Sequence, residues 1–150
     1  RPVLRNVLVY DSLNYSARGG HDPWSVDNLH TDLYKILAAF HVPACKDYVL
    51  LGGNWGAGVF RPPDRVMPFS WWLETRWLLQ VLGAAANGQE LLVLTFFDVK
   101  YQASWVRLVE VLERYPDRLY LVWRQLVRWM EGGSSRTLSP LDYILDSQRS

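Results

Sequence analysis

Tyr48-Val49-Leu50-Leu51-Gly52-Gly53-Asn54-Trp55-Gly56 is the stretch on which the reading of this chain turns. A short apolar run breaks off into two glycines and an asparagine. A buried parallel strand ends this way when its mouth is used for binding. The glycines let the backbone turn sharply, and the Asn54 amide has two N–H donors to direct into the space above a sheet. A second strand end, Val7-Leu8-Val9-Tyr10 followed by Asp11-Ser12-Leu13-Asn14, is expected to lie beside it.

Outward from these two segments, strand and helix signals alternate. Val7 to Tyr10 reads as the first strand, and residues 13–26 as a loop broken by Gly19-Gly20 and Pro23. Asp27 is the expected N-cap of a helix to about His41, with Leu29, Leu33, Ile36, Leu37 and Phe40 on one face and Pro43 beyond its end. Tyr48 to Leu51 is the second strand. A loop with Pro62, Pro63 and Pro68 leads to a helix from Phe69 to Ala86, stopped by Asn87-Gly88. Leu91 to Phe97 reads as a central strand. Trp105, Leu108, Val109 and Leu112 mark another amphipathic helix. Leu119 to Trp123 reads as a fourth strand, with a short helix to Glu131 behind it.

This alternation predicts a three-layer α/β sandwich: a mainly parallel sheet of four or five strands with helices on both faces. Residues 1–131 form the expected single domain, and 132–150 a polar tail that docks in part through Leu138 to Leu145. Ligands bind such sheets at the carboxyl ends of the strands. That places Asp11 to Asn14, Gly52 to Trp55 and Asp98 to Tyr101 along one rim.

Composition narrows the function classes. The chain has 150 residues, about half of them apolar, enough for one well-packed core. A formal net charge of +1 supplies no global attraction to nucleic acid or membrane. Arg61, Arg65, Arg107, Arg114, Arg118, Arg124 and Arg128 are scattered among carboxylates, and a local nucleic-acid face stays open as an alternative. Cys45 is the sole cysteine, so no internal disulfide forms, and it reads as a packed thiol. No apolar run approaches about 18 residues, so no transmembrane helix is expected. The chain opens at Arg1 with no methionine or signal-like segment, which fits a domain of a larger protein and leaves the compartment open. There is no zinc spacing of Cys and His, no phosphate loop and no Gly-x-Gly-x-x-Gly; neither metal nor cofactor is expected.

Eight tryptophans are many for this length. Trp71, Trp72 and Trp77 cannot all share one helix face, so most are expected in the core. Exposed ones, together with the two proline-containing loops, would make a surface for a protein partner.

The segment Val7-Leu8-Val9-Tyr10-Asp11-Ser12-Leu13 resembles the first block of the SGNH, or GDSL, hydrolases, and Gly52-Gly53-Asn54-Trp55 resembles their third block. The resemblance covers residues 5–98 and implies an esterase on a three-layer α/β fold. It casts Ser12 as nucleophile and Asn54, with backbone N–H groups, as the oxyanion hole. Tyr10 replaces the first-block glycine and Trp55 the third-block aspartate. The family's C-terminal Asp-x-x-His block is missing: Leu141-Asp142-Tyr143-Ile144 falls there, and no histidine follows His41. His21 is the remaining candidate base in reach of the rim. The expectation is therefore an SGNH-like domain with impaired or lost ester hydrolysis, its rim made of Asp11, Asn14, Gly52, Gly53, Trp55 and Asp98. Two rivals stand beside it. One is a non-catalytic protein-interaction domain of α/β fold. The other is a metal-dependent ribonuclease, because Val7 to Asn14 is also similar to the opening of the PIN-like NYN nucleases. There Asp11 would bind a divalent metal with Asp98 and with Asp22 or Asp64.

Overall fold

Trp72-Leu73-Glu74-Thr75-Arg76-Trp77-Leu78-Leu79-Gln80 holds no proline or glycine and is dominated by bulky apolar side chains. Such a segment is stable as a helix only where neighbours cover it all round. In the computed structural model, which describes residues 10–41, 49–93 and 99–147, it is the middle of a central helix, α2 (Phe69–Ala86). Every residue from Trp72 to Gln80 is buried. The helix begins after Pro68 and stops at Asn87, with Gly88 at φ +62° just beyond.

Helix α1 (Val26–Phe40) covers one side of it. Its N-cap is Ser25, whose hydroxyl accepts from the Asn28 N–H, rather than the expected Asp27. Asp27 lies in the first turn, where its charge suits the positive helix end. Leu29, Asp32, Ile36 and Phe40 make the buried stripe. The two helices meet at Gly83 of α2, where an added Cβ would overlap the Ile36 Cγ2 methyl. Only a glycine allows this approach.

Two short strands flank α2 in the chain. β1 (Leu50–Gly52) and β2 (Leu91–Val93) pair in parallel, with Leu50 opposite Leu91 and Gly52 opposite Val93, and α2 is the crossover between them. Then α3 (Gln102–Arg114), α4 (Leu119–Glu131) and α5 (Pro140–Asp146) pack on each other and on α2. Ser139 caps α5 through the Asp142 N–H, and Pro140 occupies its first turn. Leu141 and Ile144 of α5 are fully buried beside Trp129 of α4 in one continuous core. Each fully buried leucine or isoleucine there contributes roughly 1.5–3 kcal/mol.

The expected three-layer α/β sandwich is not what forms. Among the described residues the β structure is one pair of three-residue strands, and the core is helix packed on helix. This architecture conflicts with an SGNH-like α/β reading. Leu119 to Trp123, expected as a strand, is the first turn and a half of α4. Five consecutive bulky residues fit a strand or a buried helix equally well. The stripe continues through Val122, Leu126, Trp129 and Met130, however, and that spacing is helical. Of the expected central strand, Leu91 to Val93 is extended and 94–97 lies outside the described residues, as does the expected first strand except Tyr10, which is irregular. Helix α2 occupies the bounds expected for it. No helix among the described residues is long and apolar enough to cross a membrane.

Candidate functional site

Two of the three expected rim segments, 11–14 and 52–55, lie side by side. The Tyr15 N–H donates to Phe60 O at 2.8 Å, which lays residues 10–15 along the glycine-rich loop after β1. Gly56 has φ +69°, and a Cβ there would sit 2.9 Å from Ser12 Oγ. The loop needs a glycine at this point for both reasons.

Helix α2 holds this loop by three side chains. The Gln80 carboxamide donates to Gly53 O at 2.7 Å and accepts from the Gly53 N–H at 3.2 Å, as a neighbouring strand would. The Trp77 indole donates to Asn54 Oδ1 at 3.3 Å and the Trp72 indole to Gly56 O at 2.9 Å. Below the loop lies a buried charge network. Arg76 Nη1 and the Tyr15 hydroxyl each donate to Asp32 Oδ2 at 2.6 Å, and the Leu13 N–H donates to Asp32 Oδ1 at 3.0 Å. The Arg76 guanidinium also lies over the Trp72 ring, 4.0 Å from its centroid. Burial pushes the Tyr15 phenol well above its ordinary value, with Arg76 opposing. Tyr10, stacked at 5.3 Å on Trp55, is pushed up to about 12 by burial.

These contacts decide what the sequence-expected residues are placed to do. Ser12 is only 5% exposed, and its hydroxyl donates to Leu13 O at 3.2 Å. The Asn54 carbonyl oxygen is engaged by Trp77. His21 is exposed, its ring 6.0 Å from that of Tyr15. Asp11 pairs with Lys35 at 3.2 Å, and Asn14 Oδ1 accepts from the Ser16 N–H and hydroxyl. Gly52 and Gly53 face Gln80, and Trp55 is half-buried with its indole N–H unpartnered among the described residues. Asp98 lies outside the described residues. Asp22 accepts from the Trp24 N–H, and Asp64 pairs with Arg61. No group of three His, Cys, Asp or Glu among the described residues is arranged to hold a metal ion.

The chain matches no known family model and none of the curated proteins.

A second feature lies on the opposite side of α1. The end of α2 reads Gly83-Ala84-Ala85-Ala86, and the small side chains of Ala85 and Ala86 leave room between bulkier neighbours. The result is an open apolar groove of about 440 Å³, walled by Leu33 and Leu37 of α1, Leu82 of α2, and Leu119, Tyr120 and Trp123 of α4. Asp117 is the single charged residue in its lining. In its lining Tyr120 is 61% exposed; His30 stacks on Trp123 at 5.2 Å and lies 6.4 Å from the ring of the exposed Tyr34. Of the eight tryptophans, Trp72, Trp77 and Trp129 are buried, while Trp123 is half-buried at this groove.

Sequence reading missed Asp32, Arg76, Gln80 and Tyr15. A signal was present for the first three: Asp32 has Leu29 and Ile36 one turn away, and Arg76 and Gln80 interrupt a helix segment that is otherwise rich in leucine and tryptophan. The groove had a weaker signal in its alanine run. Its walls come from three helices distant in sequence, and no local pattern reports their spacing.

Proposed function

We propose that this chain is a non-catalytic recognition domain, and that the groove between α1, α2 and α4 receives a segment of a partner protein. One observation carries this reading: Tyr120 stands open to solvent beside a half-buried Trp123, and both line an apolar groove. Tyrosine and tryptophan dominate binding energy at protein interfaces, and exposed apolar area of this kind marks such surfaces. The rim supports it from the other side. A covered Ser12 with no base beside it among the described residues is a poor nucleophile, and the Asn54 oxygen is held by Trp77. The test is peptide display on the folded protein, with the selected binder mapped by NMR. The reading expects shifts at the Trp123 indole and at Tyr120. Shifts confined to residues 53–60 would overturn it.

A second reading rests on Trp55 Nε1 and Arg76 Nε, two buried donors of neighbouring side chains with no acceptor among the described residues. An oxyanion or carbonyl reaching the rim would satisfy them. Titration with acetate and with inorganic phosphate, followed at the Trp55 indole proton, tests this, and an unmoved resonance removes it.

A further inference from the structure

The partner chemistry of the groove can be taken a step further, resting on the first reading above. We infer that its occupant is an amphipathic α-helix of a partner protein with an acidic flank, laid along α4.

The walls argue for a helix. They are mostly side chains of three helices, with Pro116 and Asp117 of the connection before α4, and the backbone groups inside those helices are hydrogen-bonded within them. The groove therefore offers no ladder to an extended peptide, which would lose its hydration without replacement. A helix brings its own backbone bonds and needs only an apolar stripe. Leu33 and Leu37 stand one turn apart on α1, and Leu119 and Trp123 one turn apart on α4. The two walls thus present matching one-turn repeats to a stripe at i, i+3 or i+4, and i+7.

The charge argues for acidity. Tyr120, Arg124 and Arg128 follow one another at four-residue intervals, all exposed, along the solvent stripe of α4. Arg118 stands exposed just before the helix. None of these three arginines makes an ion pair with another described residue. The exposed arginines of α3 are paired instead, Arg107 with Glu110 and Asp142 and Arg114 with Glu110. Helix α4, whose Tyr120 and Trp123 line the groove, thus carries a run of arginines on its adjoining solvent face, while Asp117 is the one charged residue in the lining itself. Carboxylates on one flank of the docked helix would meet Arg124 and Arg128, while its apolar stripe meets Trp123 and Leu37. Charges of this kind set specificity and on-rate more than total affinity. Asp117 and Glu131 at the two ends of α4 would repel an acidic residue placed too far along, which sets a register.

The experiment uses labelled helical peptides of about 18 residues in fluorescence anisotropy against the whole chain. Two share one leucine-rich face, one with a glutamate flank and the other with a lysine flank. A third keeps the glutamates and replaces the leucines by serine. A labelled single-stranded RNA is the fourth probe. The glutamate–leucine peptide is expected to bind roughly tenfold tighter than its lysine twin, with the preference shrinking as salt is raised. R124E combined with R128E should reverse the order, and Tyr120→Ser should weaken both. All three positions are exposed, so the fold tolerates the changes. Equal binding of the two leucine-faced peptides, unchanged by the arginine reversal, overturns the acidic flank and leaves the groove reading standing. If neither peptide binds, or the RNA alone binds through the arginines, the helix inference fails. The groove reading then falls as well if display-selected binders map away from Trp123.

Discussion

Arg76 of α2 and Asp32 of α1 form an ion pair of 2.6 Å with side chains only 1% and 0% exposed. Its Asp32 end also takes the Tyr15 hydroxyl and the Leu13 N–H, so one carboxylate fastens the N-terminal segment, α1 and α2 together. Removing one member leaves an unpaired charge in the core. Asp32→Ala is therefore expected to cost about 3–5 kcal/mol, and Asp32→Leu with Arg76→Met far less than the two single changes summed. Urea unfolding of the parent, Asp32→Ala, Asp32→Leu, Arg76→Met and the double variant measures this. An additive double variant would show that the pair is not coupled.

Glu74 gives the fold a pH dependence. It lies buried among α2, α3 and α5, accepting from the Ser104 hydroxyl at 2.6 Å and the Leu141 N–H at 3.2 Å, near Asp142 and its Arg107 partner. Burial raises its pKa above the ordinary 4.5, and the hydrogen bonds only partly oppose this. The folded chain thus holds this proton more tightly than the unfolded chain does. Glu74 accordingly makes stability fall as pH rises from about 4.5 to the raised value, and the change is complete above it. Glu74→Gln should flatten that part of a curve of unfolding free energy against pH. A slope that persists in the variant would assign it to another group.

The α1–α2 crossing has no spare room. Gly83→Ala is expected to destabilise by about 1–3 kcal/mol, because its methyl meets the Ile36 Cγ2 group. Ile36→Leu moves the branch away from Cβ and should recover part of the loss. Thermal melts of the single and double variants test the pairing, and a double variant no better than Gly83→Ala would place the strain elsewhere.

Gln80 stands in for a strand at the end of β1. With Gln80→Leu, Gly53 loses both hydrogen bonds to that side chain, and stability is expected to fall by about 1–3 kcal/mol. Hydrogen exchange should locate the effect. The Gly53 and Asn54 amides should exchange faster than in the parent, while Leu78 and Leu79 in α2 change only with global stability. Uniform acceleration throughout the chain would mean that Gln80 acts on the whole core.

Much of the local structure was legible before any contact was known. Helix α1 was readable from its apolar spacing, and α2 from its long apolar run and its Asn87-Gly88 stop, signals that act within a few residues. The turn of the glycine-rich loop was readable for the same reason: its glycines are demanded by its own backbone and immediate neighbours. The amino-acid order alone thus determined where the chain turns, and which segments must be covered on every side. Tertiary structure decided what does the covering. Leu119 to Trp123 satisfies a strand or a helix until its partners are known, and helices α1, α2 and α5 are the partners of α4. Asp32 and Arg76 are 44 residues apart, each an anomaly in its own helix until the other neutralises it. The groove exists only because three helices hold small residues and large ones at fixed distances. Burial and charge pairing depend on spatial neighbours, whereas caps, turns and periodicity depend on neighbours in the chain.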